Sequence, residues 1–143
     1  MIYALSKRIV LLSLLTVFFI APIHADTIDH YMNIVKNIPQ MEMKADPESQ
    51  AWARSARNIL ILTSESVGES LMLANDTSTR QGAPLFCLPP SVHLNGMMLN
   101  ELIQQTYREI SSQQSDKNSM TVSQVALIGV TKLYPCVQQQ TPK

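Results

Sequence analysis

Glycine is scarce in this chain. Only four occur in 143 residues, Gly68, Gly82, Gly96 and Gly129, and their spacing builds no phosphate-cradling loop. No Gly-x-Ser-x-Gly surrounds any serine and there is no His-Glu-x-x-His, so neither a nucleophile elbow nor a two-histidine zinc helix is encoded. Basic charge is not in excess: 11 Lys and Arg stand against 11 Asp and Glu, and the charges are scattered. A nucleic-acid surface needs a basic patch, so no nucleic-acid partner is expected, and no acidic tail is present either. Cysteine is limited to Cys87 and Cys136, too few ligands for a stand-alone metal site. Neither a metal nor a cofactor is expected.

The one long apolar run lies at the N-terminus. Lys7 and Arg8 precede Ile9 to Ala21, which is interrupted only by Ser13 and Thr16, and Pro22 ends it. Ala25 supplies a small residue at −1 and Ile23 a β-branched one at −3, the three-part layout of a secretory signal peptide cleaved after residue 25. A membrane anchor is the alternative, but a spanning helix needs about 20 apolar residues and this run is shorter. No cysteine borders the cut for lipid attachment, so no stable membrane anchor is expected after cleavage. Export places residues 26–136 in the periplasm as one domain, followed by a polar tail, 137–143. The loss of Lys7 and Arg8 leaves 9 basic and 11 acidic residues, a net charge of −2. In an oxidising compartment an even pair of cysteines forms a bridge, so Cys87 and Cys136 are expected to be joined.

The domain reads as all-α, a small bundle of about four helices. Ile28, Tyr31, Met32 and Val35 recur at helical spacing, and Pro39 is expected to limit that first helix. Asp46-Pro47 is a helix start, an oxygen-bearing N-cap followed by proline at the first position. From there Trp52, Ala56, Ile59, Leu60, Thr63, Val67, Leu71 and Ala74 make one face of a long helix running to about Leu73. Ile59 to Leu62 could also be read as a strand, but no hairpin turn lies nearby to pair it. Asn75 to Pro84 has loop chemistry. A third helix starts between Val92 and Asn95, with Met98, Leu99, Leu102, Ile103, Thr106 and Ile110 inward. Ser111 to Asn118 is turn-forming. Thr121-x-x-Gln124 is a capping box opening a last helix with Val122, Val125, Ala126, Gly129, Val130 and Leu133 inward, and Pro135 stops it. Cys87 precedes one helix and Cys136 follows the next, so the expected C-terminal unit is an antiparallel helix hairpin closed by one disulfide. The two helices differ in expected length by about 7 Å, at 1.5 Å per residue. Either the proline-rich segment doubles back or the third helix starts late.

Single residues are weighed in the same way. Asp26, Asp29 and His30 read as a solvated helix start, and His93 as a surface or capping residue. Ser64, Ser66 and Ser70 are expected to face solvent on the long helix, whereas Gly68 and Gly129 are expected to permit close helix packing. Trp52 reads as a core anchor rather than an exposed hot spot. Seven methionines besides the initiator read as core gap-fillers, with an adaptable contact surface as the alternative.

The segment Phe86-Cys87-Leu88-Pro89-Pro90-Ser91-Val92, followed by Leu133-Tyr134-Pro135-Cys136, resembles the Rap/Tai-like immunity proteins. These guard bacteria against peptidoglycan-cutting effectors of the type VI secretion system. The likeness covers about Leu85 to Cys136, and both cysteines fall on motif positions. It implies a helical periplasmic protein that is not an enzyme and that inhibits a secreted cell-wall amidase by occluding its active site. It further implies inhibition through a loop, with a homodimer as one arrangement. By that analogy the loops 75–84 and 113–118 are candidate contacts, with Asn75, Asp76, Thr79, Arg80, Gln113, Gln114 and Asp116 as partner-binding residues. The alternative readings are an acid-stress chaperone of the same compartment or an accessory subunit of an envelope assembly. For the chaperone, only His30 and His93 remain to sense mild acid.

Overall fold

The computed structural model describes residues 26–110 and 116–136. The expected signal peptide and the polar tail lie outside the described residues. Four helices are present: α1 (Ile28–Glu42), α2 (Pro47–Arg80), α3 (Gly96–Glu109) and α4 (Val122–Leu133), with a single 3₁₀ turn at Lys117–Ser119. The described residues contain no strand, and the Ile59 to Leu62 run is helical.

Local chemistry sets each helix start. The side chains of Thr27, Asp46, Asn95 and Thr121 each accept a hydrogen bond from the backbone N–H three residues on. At Thr121 the box is reciprocal, since Gln124 Oε1 accepts from the Thr121 N–H at 2.8 Å. The third helix starts late, at Gly96, which brings it to 14 residues against 12 for α4 and resolves the mismatch of lengths.

Two helices outrun their expected ends. Helix α1 passes through Pro39 to Glu42. Proline lacks an N–H and deprives only the Val35 carbonyl of its bond. Continuing the helix lets Ile38 bury itself and Met41 pack on the core. Helix α2 runs on to Arg80, so Asn75 to Arg80 are helical and not a loop. Their polar side chains are absorbed locally: the hydroxyls of Thr77 and Thr79 donate to the carbonyls of Leu73 and Asn75. The stop comes at Gly82, whose φ of +81° a Cβ would strain. There the N–H groups of Gln81 and Gly82 close onto Ser78 and Thr79.

The long second helix, about 51 Å at 1.5 Å per residue, is the spine of the fold. It packs against α1 and α3, and α3 packs against α4. Its buried row is Ala53, Ala56, Leu60, Ser64, Gly68 and Leu71. Trp52 and Ile59 lie off that row and are exposed, so Trp52 is not a core anchor. Helix α4 approaches α3 at Gly129, where a Cβ would collide with Thr106 Oγ1 and lie 3.1 Å from Leu102 Cγ. Glycine is what permits that contact. Gly68 likewise faces Leu99 and the Leu94 carbonyl. The chain entering α1 is tied to the start of α4 by two backbone bonds, Ile28 N–H to Met120 O at 2.8 Å and Val122 N–H to Asp26 O at 3.3 Å.

Ser64 is fully buried, contrary to the expected solvent exposure. Its partner lies 33 residues away: Ser64 Oγ and Tyr31 Oη are 2.9 Å apart. The phenol donates its proton to Asn100 Oδ1, which leaves Ser64 to donate to the phenol oxygen. Gln104 also donates to Asn100 Oδ1, at 3.1 Å. One polar chain thus links α1, α2 and α3 inside an apolar core, and no buried side-chain N or O among the described residues lacks a partner.

Candidate functional site

The disulfide joins Cys87 to Cys136, 49 residues apart in sequence, with their Cα atoms 4.9 Å apart. It ties the segment before α3 to the segment after α4. A backbone bond lies beside it, from the Cys87 N–H to the Tyr134 carbonyl at 2.9 Å.

These two links anchor the connector 81–95 between α2 and α3, the longest non-helical stretch that the structure describes. Three further attachments hold it. Phe86 is buried in the core, with Leu88 and Leu94 packed against it. Asn75 Oδ1 accepts from the N–H groups of both Leu85 and Phe86, at 2.8 and 3.1 Å. At the far end Asn95 caps α3. Between the anchors Pro89, Pro90 and Ser91 are exposed in a turn closed by the Val92 N–H on the Pro89 carbonyl at 2.9 Å, and His93 is exposed beside it. Pro90 stands at the second turn position, where its fixed φ is pre-set for the bend. The result is a short exposed tip of the connector, its backbone held at both ends and restricted by two prolines.

The expected contact residues divide accordingly. Asn75 is half-buried and holds the connector through its side-chain oxygen. Asp76, Thr79 and Arg80 lie on the last turns of α2, with Thr79 bonded to its own helix, and are not loop residues. Gln113 and Gln114 lie outside the described residues. Asp116 is exposed at the entry to the 3₁₀ turn, where its carbonyl accepts from the Ser119 N–H and hydroxyl. The connector tip was not among the expected contacts, although the proline pair that stiffens it was in plain view.

Two shallow grooves flank α2. One, about 450 Å³, is lined by Ser70, Leu73, Thr77 and Leu85 among others. The second, about 270 Å³, is lined by His30, Ile34, Trp52, Ser55, Ala56 and Ile59. The second groove holds a hydroxyl and an imidazole, Ser55 and His30, but no hydrogen bond joins them. Among the described residues no three His, Cys, Asp or Glu side chains come together as a cation site. The buried phenol of Tyr31 is pushed above its ordinary range by desolvation, partly offset by the Ser64 hydrogen bond. Its proton is committed to Asn100. No described helix is long and apolar enough to cross a membrane.

No family model, curated protein or solved structure matches this chain.

Proposed function

We propose that the chain is a periplasmic inhibitor that binds a peptidoglycan amidase delivered by a type VI secretion system and occludes its active-site cleft. The observation that carries this reading is the connector tip: an exposed Pro89-Pro90-Ser91 turn with His93 beside it, anchored by the disulfide, Asn75 and the buried Phe86. A segment already ordered before it enters an enzyme cleft loses less entropy on binding, which favours a pre-stiffened backbone. The likeness of the surrounding sequence, Phe86 to Val92 and Leu133 to Cys136, to the Rap/Tai-like immunity proteins supplies the class of target.

In this reading the helices are a scaffold and the tip is the working surface, so the protein needs no catalytic group of its own. Contact centres on Pro89, Pro90, Ser91 and His93, in place of Asn75, Thr79 and their neighbours. The test is a competition between sister cells. A strain lacking this protein should lyse beside cells that deliver the effector, and a wild-type copy should protect it. A copy carrying Pro90→Gly and His93→Glu, exported and folded, should protect poorly. Full survival of the deletion strain beside effector-delivering cells would remove the proposal.

A further inference from the structure

A further cavity, of about 260 Å³, lies where the second half of α1 meets α2 and α3. Val35, Ile38, Pro39 and Leu60 give it an apolar wall, and Glu42, Arg57, Asn100 and Gln104 supply its polar groups. Bonds already made fix what each polar group has left to offer. Asn100 Oδ1 accepts from both Tyr31 Oη and Gln104 Nε2, so the NH2 group is what remains of that side chain. This NH2 makes no hydrogen bond among the described residues. No buried side-chain nitrogen there lacks a partner, so the group is open to the space that Asn100 lines. Arg57 spends Nη2 on Glu42, and its remaining guanidinium donors are unpartnered among the described residues. The acceptors stand on α1. Pro39 has no N–H to give the Val35 carbonyl, which points along the helix towards residue 39 and so sits in the cavity wall. The Glu42 carboxylate follows about one turn on. Donors therefore come from α2 and α3, acceptors from α1, and both share the cavity with aliphatic carbon.

We infer that this cavity is a binding site for a small aliphatic α-amino acid. Its carboxylate takes the spare guanidinium donors of Arg57 and the Asn100 NH2. Its ammonium takes the Glu42 carboxylate and the Val35 carbonyl. Arg57 and Glu42 touch each other, so the two charges of the ligand must themselves lie side by side. An α-amino acid meets that condition, with its charged groups on one carbon. A dicarboxylate, a diamine or the terminus of a peptide does not. The hydrocarbon side chain then packs on Ile38, Pro39 and Leu60. The volume suits a molecule of about leucine size, since drug-sized ligands occupy sites of ~300–1,000 Å³. Parting the ion pair to admit the ligand costs little, because its side chains are 54 and 44 % exposed and exposed pairs contribute little to stability. The same exposure keeps the affinity modest.

The site is remote from the connector tip and does not depend on the amidase. Its experiment is a titration of the oxidised protein, with no partner added, by L-leucine through the millimolar range, followed in proton–nitrogen NMR spectra. Saturable shifts are expected at the side-chain NH2 of Asn100 and Gln104 and at backbone N–H groups between Val35 and Glu42. 4-Methylpentanoate, which lacks the ammonium, and isoamylamine, which lacks the carboxylate, should each bind at least about tenfold more weakly. Arg57→Gln and Glu42→Gln should each weaken leucine binding about tenfold. Both side chains are exposed, so the helical circular dichroism of the variants should be unchanged. Absence of saturable shifts with leucine overturns the inference. So does equal binding of leucine and either analogue, or leucine binding indifferent to both substitutions. Shifts confined to residues outside the cavity would place the ligand elsewhere, and would equally overturn it.

Discussion

The contact at Gly129 makes a quantitative prediction. Alanine there should stabilise an isolated helix by about 1 kcal/mol, because glycine is the poorer helix former. In the folded protein the new methyl has no room: it would run into Thr106 Oγ1, and Leu102 Cγ stands 3.1 Å away. Thr106 is itself buried and β-branched, so it cannot swing aside freely. Forcing a methyl into a packed helix contact costs about 1–3 kcal/mol. The net effect of Gly129→Ala is therefore a destabilisation of up to about 2 kcal/mol, despite the gain in propensity. Thr106→Ala removes the colliding atom. In that background the same Gly129→Ala change should be neutral or stabilising, by up to about 1 kcal/mol. Urea unfolding of the four proteins in the cycle measures the coupling, expected at about 1–3 kcal/mol, within the range for residues in contact. If Gly129→Ala stabilises the wild-type protein as it would an exposed helix, or if the two changes are additive, the close approach of α3 and α4 is wrong.

Three further outcomes follow from the core and the caps. Reducing the disulfide, or replacing both cysteines by serine, should lower stability by at most about 4 kcal/mol, as the loop-entropy model gives for a closed loop of this size, read from unfolding curves with and without reductant. Tyr31→Phe strips a partner from buried Ser64 and should destabilise by about 1–3 kcal/mol. Because burial raises the Tyr31 pKa in the folded state, its contribution is intact below the unfolded tyrosine pKa of about 10 and is lost as the pH climbs through the folded value. The variant should show a flatter alkaline limb in unfolding midpoint against pH. Asp46 is held below the ordinary carboxylate range by the Ser49 N–H that it caps, so its stabilisation is present above the unfolded aspartate pKa and fades as the pH falls through the folded one. Asp46→Ala should flatten the acid limb of the same plot.

Much of the fold is legible in the sequence because its signals are local. Asp46-Pro47 and Thr121-x-x-Gln124 fix two helix starts by chemistry contained within four residues. The apolar spacing in α1, α3 and α4 needs only a helical period. What is not legible depends on partners far along the chain. Asn75 to Pro84 reads as a loop until the Thr77 hydroxyl is seen to donate to Leu73 O, the Ser78 hydroxyl to Ala83 O, and the Asn75 amide oxygen to accept from the Leu85 and Phe86 N–H groups. Ser64 reads as solvent-facing until Tyr31, 33 residues earlier, is placed against it. Trp52 reads as core because it falls in the helical spacing that also takes in Ala56 and Leu60, and only the packing of α1 and α3 decides which row goes inside. The polar cluster at Asn75 to Arg80 carries loop chemistry yet is helical, whereas the non-helical segment is the proline-rich connector that follows, held at Asn75, Phe86 and Cys136.

The most direct measurement is hydrolysis of peptidoglycan by the cognate amidase while the oxidised protein is titrated in. Stoichiometric loss of cleavage is expected, with a right-shifted titration when Pro90→Gly and His93→Glu alter the tip without unfolding the helices. Undiminished cleavage at a large molar excess of the folded, oxidised protein would contradict it.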